Sequence, residues 1–253
     1  MTTRLLRFVL LILFGTMLAS HAIRAETDPD RVMFSTAEGP VTAQRFAVPG
    51  PTKRPAVIIL HGRQGPDRFA ASYQHAAAAL AASGFDAYLL RYYSDSDAAQ
   101  TANPSAPERQ AVFDRRLPAW SRLVSDVVGD LLAQSSDRIG VLGFSQGGFL
   151  AAAAASQDPR IAAIVVYYGG NPLPAGQITR LPPLLELHGD ADRVVPLLRG
   201  QALVDLAQRL GQSATMVVYP GAGHGFAGAD AADARQRMLA FFQEQLRPAT
   251  PRP

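Results

Sequence analysis

The hexapeptide Gly143-Phe144-Ser145-Gln146-Gly147-Gly148 constrains this chain more than any other segment. It reads G-x-S-x-G-G. The apolar run Ile139-Gly140-Val141-Leu142 precedes it, and an Ala-rich helical stretch, Phe149 to Ser156, follows. That is the strand–turn–helix setting of a nucleophile elbow. A serine in such a turn is strained, with its hydroxyl exposed above the end of a sheet. The flanking glycines are required because larger side chains would meet the adjoining strand and helix. The backbone N–H after the serine, that of Gln146, points to where an oxyanion would develop. The bland reading is a glycine-rich turn with an incidental serine, since G-x-S-x-G is moderately common. Residues elsewhere in the chain decide between the two.

A serine hydroxyl needs a base, and the base needs an orienting carboxylate. Downstream of Ser145, Leu184-Leu185-Glu186-Leu187-His188-Gly189 reads as an apolar strand ending in a turn that carries Asp190 and Asp192. Further on, Met216-Val217-Val218-Tyr219 reads as a strand running into the glycine-rich loop Gly221-Ala222-Gly223-His224-Gly225. Each candidate therefore follows the C-terminal end of a strand, where open α/β sheets bind ligands. The order Ser, Asp, His resembles that of α/β hydrolases and not those of the chymotrypsin or subtilisin types.

Five histidines compete for the base. His21 lies in a targeting-like segment. His75 sits on an Ala-rich helix as a packing or surface residue. His61 and His188 each precede a glycine at a strand end, where turn geometry accounts for them. His224 alone combines the order, the glycine setting and the late position. Asp190 and Asp192 are both turn formers, and the residues by themselves leave the acid open between them.

Four segments together resemble the dienelactone hydrolase family of α/β hydrolases. They are Ala56-Val57-Ile58-Ile59-Leu60-His61-Gly62, the elbow, His188-Gly189-Asp190-Ala191-Asp192-Arg193-Val194-Val195-Pro196 and Gly223-His224-Gly225-Phe226. The resemblance spans roughly Arg31 to Leu246. It implies a triad of Ser145, Asp192 and His224, with an oxyanion hole from the backbone of Gln146 and Arg63. It implies neither a metal nor an organic cofactor, and a small-molecule ester as substrate. The chain departs from the pattern in two places. The enzymes that gave the family its name use a cysteine nucleophile, and this chain has no cysteine. They also carry a glutamate where this chain has Gly62. The implied branch is therefore the serine-nucleophile one, whose members are diverse carboxylic-ester hydrolases. The same apparatus serves peptidases and thioesterases. A non-catalytic binding protein on this fold is the alternative from another class, although such proteins commonly lose a triad member.

Residues 1–25 read as a secretory signal. Arg4 and Arg7 form a positive n-region. Phe8 to Leu18 is apolar but short of the roughly 20 residues of a membrane span. Ala22 and Ala25 offer cleavage positions. The expectation is a periplasmic or secreted protein with no stable membrane association after processing. Without cysteine there are no disulfides, so the core must hold the fold alone. About 225 residues would remain, enough to bury roughly 70–75% of the unfolded surface in one domain. The formal charge of +3 is small and no basic cluster occurs, so nucleic acid is not an expected partner. The oligomeric state is left open.

The remaining pattern predicts an α/β-hydrolase fold over 26–246, with a mainly parallel sheet, helices on both faces and no large cap. Val32–Ala37 and Gln44–Val48 form an antiparallel edge pair. Strands follow at Ala56–Leu60 and Phe85–Arg91, then the elbow strand, Ile161–Tyr168, the acid strand and the histidine strand. Helices are expected at Phe69–Ser83, Trp120–Gln134, Leu198–Leu210 and Ala231–Leu246. The stretch Tyr92–Pro118 reads as a long loop whose opening, Tyr92 to Asp97, lies near the pocket, with Tyr92 and Tyr93 walling a modest one; the bland alternative for its acids is a solvated polar loop. The connection Gly169–Pro182 is too short for a cap. Residues 247–253 form a proline-rich frayed tail.

Overall fold

A computed structural model of the chain describes residues 30 to 246, apart from 48–52, 103–104, 135 and 175. The signal segment and the tail lie outside the described residues. The first two strands, β1 (Asp30–Thr36) and β2 (Gly39–Phe46), form an antiparallel hairpin. The other strands are β3 (Arg54–Leu60), β4 (Asp86–Leu90), β5 (Ser136–Phe144), β6 (Ile161–Tyr167), β7 (Leu184–Gly189) and β8 (Ala214–Tyr219). They build one sheet in the order β1-β2-β4-β3-β5-β6-β7-β8. From β4 through β8 every pairing is parallel, and β2 meets β4 antiparallel, so the hairpin caps one edge as expected.

The helices are α1 (Gly65–Arg68), α2 (Ala70–Ala82), α3 (Asp95–Ala102), α4 (Ala106–Gln134), α5 (Gln146–Gln157), α6 (Leu197–Arg209) and α7 (Gly228–Gln245). Both faces of the central strands are apolar because helices cover both. Alternation along β3 shows it. Ala56, Ile58 and Leu60 join the core beneath α4 and α5, while Val57 and Ile59 join the core beneath α2 and α7. Each Val, Ile or Leu among them contributes roughly 1.5–3 kcal/mol by leaving water. Among the described residues no helix is long and apolar enough to cross a membrane.

The stretch Tyr92–Pro118 is not a loop. It holds α3 and the first half of α4, and α4 runs on through Pro118. Two capping boxes start these helices. Ser94 N–H donates to Asp97 Oδ2 at 3.1 Å and Asp97 N–H to Ser94 Oγ at 3.1 Å. Ser105 N–H donates to Glu108 Oε2 at 2.8 Å, and Pro107 occupies the second helical position, where no N–H is missed. Pro118 removes one helical hydrogen bond mid-helix. Burial of Val112, Leu117, Trp120 and Leu123 along the same helix outweighs that loss.

Nor is Asp97 a solvated loop acid. It is buried, with Arg116 Nε at 2.7 Å and Trp120 Nε1 at 3.1 Å. Burial works to raise its pKa, but the N–H of Ser94 and the donors on Trp120 and Arg116 outweigh burial and leave it below the usual carboxylate range. Tyr92 is also core. Its ring stacks on His61 at 4.1 Å and its hydroxyl donates to the His61 carbonyl at 2.9 Å, so it walls no pocket.

Candidate active site

The elbow turns between β5 and α5. Ser145 has φ 53°, a left-handed conformation that side-chain-bearing residues rarely adopt. The turn is possible because the glycines on either side admit backbone contact. A Cβ on Gly147 would overlap the carbonyls of Leu60 and His61, and one on Gly143 would overlap the carbonyl of Gly147. The serine is anchored by its own N–H, which donates to the Tyr167 carbonyl at 2.8 Å. Gln146 begins α5, so its N–H lies in the first turn, where no helical carbonyl precedes it to accept.

Three sequence candidates from three separate loops meet here. His224 Nε2 lies 2.8 Å from Ser145 Oγ, and His224 Nδ1 lies 2.7 Å from Asp192 Oδ2. The other carboxylate oxygen of Asp192 accepts the N–H groups of Val194 at 2.8 Å and Val195 at 2.9 Å. Both oxygens of a buried acid are thus engaged, which fixes its orientation. Asp190 does something else. Its Oδ1 accepts the Gly221 N–H at 2.7 Å, tying the acid turn to the start of the histidine loop. The structure thus brings Asp192, and not Asp190, to His224.

The turn after β3 holds the remaining candidate, Arg63. Gly65 N–H closes it onto the Gly62 carbonyl at 3.1 Å. Gly62 sits against the nucleophile, since a Cβ there would lie 3.5 Å from Ser145 Cβ. Its own N–H donates to the Tyr73 hydroxyl at 3.0 Å, and Arg63 follows it in the turn. The Arg63 guanidinium reaches back to the Thr101 carbonyl at 3.2 Å. Tyr93 accepts from Gln146 Nε2 at 2.6 Å, and burial pushes its hydroxyl up to about 12. The α3 region therefore braces both flanks of the serine, a role that reading it as a loop did not suggest.

Aromatic side chains other than Tyr92 and Tyr93 wall the adjoining cavity of about 110 Å³. Phe144, Tyr167, Tyr168 and Phe226 line it, with Arg235 and His75 at its polar side. Tyr168 has φ 43° and its ring lies 4.8 Å from that of His224, so it joins the cavity to the triad. Its hydroxyl stays protonated because burial, helped by Tyr73 and Asp192, raises its pKa.

Of the other histidines, His61 is buried and neutral. Burial lowers it to about 4, and Nδ1 donates to the Gly62 carbonyl at 2.8 Å. His188 is not explained by turn geometry. It is fully buried, with Nδ1 2.8 Å from Glu186 Oε1 and Nε2 3.5 Å from Asp192 Oδ2. Sequence reading missed the pair. The available signal was an acid and a histidine two apart in an otherwise apolar strand, hence on one face. Among the described residues no group of three His, Asp or Glu side chains is arranged to hold a metal ion.

Comparisons with known proteins agree on the fold. The α/β serine hydrolase without lid from Xanthomonas campestris superposes with a TM-score of 0.65 at 21% identity, covering 89% of this chain and 98% of that one. The protein is thus an α/β-hydrolase fold without a large cap. A Methylorubrum extorquens protein named as a carboxymethylenebutenolidase is 30% identical over 100 residues, 35% of this chain and 34% of its own length. A Nocardia uniformis protein named as the esterase NocK is 28% identical over 150 residues, 58% of this chain and 42% of its own length. The matches thus span less than half the length of either relative. The model of the dienelactone hydrolase family matches residues 43–246, which takes in the elbow, the acid turn and the histidine loop. On that match, the chain belongs to the dienelactone hydrolase family.

Proposed function

We propose that this protein is a serine hydrolase that cleaves carboxylic esters of small substrates through an acyl-enzyme. The observation that carries the reading is the unbroken path from Ser145 Oγ to His224 Nε2 at 2.8 Å and from His224 Nδ1 to Asp192 Oδ2 at 2.7 Å, on a serine held at φ 53°. Family membership and the esterase name of the Nocardia relative support the same class.

The steps follow from the geometry. Ser145 Oγ attacks the ester carbonyl as its proton passes to His224 Nε2. Asp192 holds the Nδ1–H tautomer and stabilises the imidazolium that forms. The carbonyl oxygen becomes an oxyanion, which the N–H groups of Gln146 and Arg63 receive. Collapse of the tetrahedral intermediate breaks the bond to the alcohol, which takes the proton from Nε2 and leaves. Water then gives a proton to His224 and attacks the acyl group. The acid is released and the Ser145 hydroxyl is restored.

Substrate size is the finer part of the proposal. The cavity of about 110 Å³ beside the triad is small against the roughly 300–1,000 Å³ of pockets for drug-sized ligands. No helix stands over the site in the β6–β7 connection among the described residues. Short acyl groups fit such a site, and a long chain would exceed the cavity. Hydrolysis of p-nitrophenyl acetate, butyrate and palmitate tests this. The expected kcat/KM for acetate or butyrate exceeds that for palmitate by about tenfold or more. Equal or higher values for palmitate would contradict it.

A further inference from the structure

The interior of β7 carries ionisable groups that the proposed steps do not use. Leu185 and Leu187 face the core beneath α2 and α7. Glu186 and His188 alternate with them and face the other way, both 0% exposed. His188 Nε2 lies 2.9 Å from the Val195 carbonyl. A carbonyl only accepts, so Nε2 carries a hydrogen. Nδ1 lies 2.8 Å from Glu186 Oε1, which also accepts the Gly169 N–H at 3.2 Å. Two lone pairs would repel at that distance, so a second proton sits between Nδ1 and Oε1. The ring thus lies between two carboxylates, Glu186 at 2.8 Å and Asp192 at 3.5 Å. Between two anions an imidazole holds its proton as a cation.

Glu186 and Asp192 are the charges that act on His188. From β7 comes Glu186 and from the following turn Asp192, whose Oδ2 also meets His224. Tyr168, from the end of β6, is neutral. From α6, Arg199 is directed to the Asn171 carbonyl and the Phe149 ring. The next residue, Gly200, lets α6 close over the pair. A Cβ there would come within 2.8 Å of both Glu186 Oε1 and His188 Nδ1. Glu186 Oε2 is buried with no hydrogen-bond partner among the described residues, a cost that an apolar side chain here would avoid. Burial works to lower the His188 pKa, but Glu186, the Val195 carbonyl and Asp192 outweigh it and raise it. Burial pushes Glu186 up to about 7, against His188 and the Gly169 N–H.

We propose that His188, kept cationic by Glu186, is a positioning residue for the catalytic acid. It bears on Asp192 Oδ2, the same oxygen that receives the His224 Nδ1–H, and it offsets part of the carboxylate charge felt by His224. This rests on the serine-hydrolase reading, in which His224 must be neutral to take the serine proton. The sign follows. Glu186→Gln leaves a neutral His188, because an amide cannot supply the anion. Asp192 then acts on His224 at full charge and favours its protonated form. The active, unprotonated form appears only at higher pH.

Two measurements test the proposal. In the wild-type protein, the ¹⁵N-resolved ring signals of His188 at pH 7 should show both nitrogens protonated, and Glu186→Gln should turn Nδ1 into a bare pyridine-type nitrogen. For p-nitrophenyl acetate, Glu186→Gln should move the acid limb of the kcat/KM profile up by about 0.5–1 pH unit, with KM at the optimum little changed. A wild-type His188 with unprotonated Nδ1 overturns the proposal, and so does an unmoved acid limb in a folded, active variant. The wild-type spectrum needs neither a variant that folds nor a substrate. Failure to cleave any ester would count against the hydrolase reading, while the spectrum still decides the charge of His188.

Discussion

Ser145→Ala should lower kcat for p-nitrophenyl acetate by roughly 10⁴-fold or more while leaving the fold intact. The substitution deletes the attacking oxygen and its 2.8 Å contact with His224 Nε2. It leaves in place the backbone that builds the site, because the φ of 53° is held by the Tyr167 carbonyl and the flanking glycines and not by the hydroxyl. The urea unfolding midpoint should therefore stay close to wild type. A folded variant keeping a tenth of the activity would remove Ser145 from the mechanism.

Asp192→Asn should lower kcat by roughly 10³–10⁴-fold. An amide can offer His224 Nδ1 an N–H in place of an acceptor, and the ring then protonates on Nε2. That nitrogen is the one that must take the serine proton. Asp190→Asn should cost far less, because Asp190 accepts a single N–H from Gly221 and touches no triad member. Comparison of the two variants by steady-state kinetics checks the assignment. A larger loss from Asp190→Asn would show that the acid is misassigned.

The parts of the site that were legible in the sequence are those whose geometry is local. The elbow needs glycines at fixed offsets from Ser145, and the structure supplies the reason in the overlaps a Cβ would cause at Gly143 and Gly147. The histidine loop and the acid turn each follow a strand, so their convergence follows from a parallel sheet. The choice of Asp192 over Asp190 was not local. Both suit a turn, the family resemblance points to Asp192, and the fold brings that carboxylate to His224.

What escaped the reading had two causes. The stretch up to Pro118 reads as a loop, but burial of Trp120, Leu117 and Val112 carries α4 through that proline. The capping boxes at Ser94 and Ser105 were available as signals and point to the helices that are present. The alternation of Glu186 and His188 was also visible. Its bearing on Asp192 depends on the loop returning over the strand end, which no spacing encodes.

The most direct test of the central claim is covalent labelling with a fluorophosphonate, followed by peptide mapping. The wild-type protein should gain one adduct, located on Ser145, and Ser145→Ala and His224→Ala should gain none or label far more slowly. A folded wild-type protein that takes no label, or carries it on another residue, would contradict a Ser145–His224–Asp192 hydrolase.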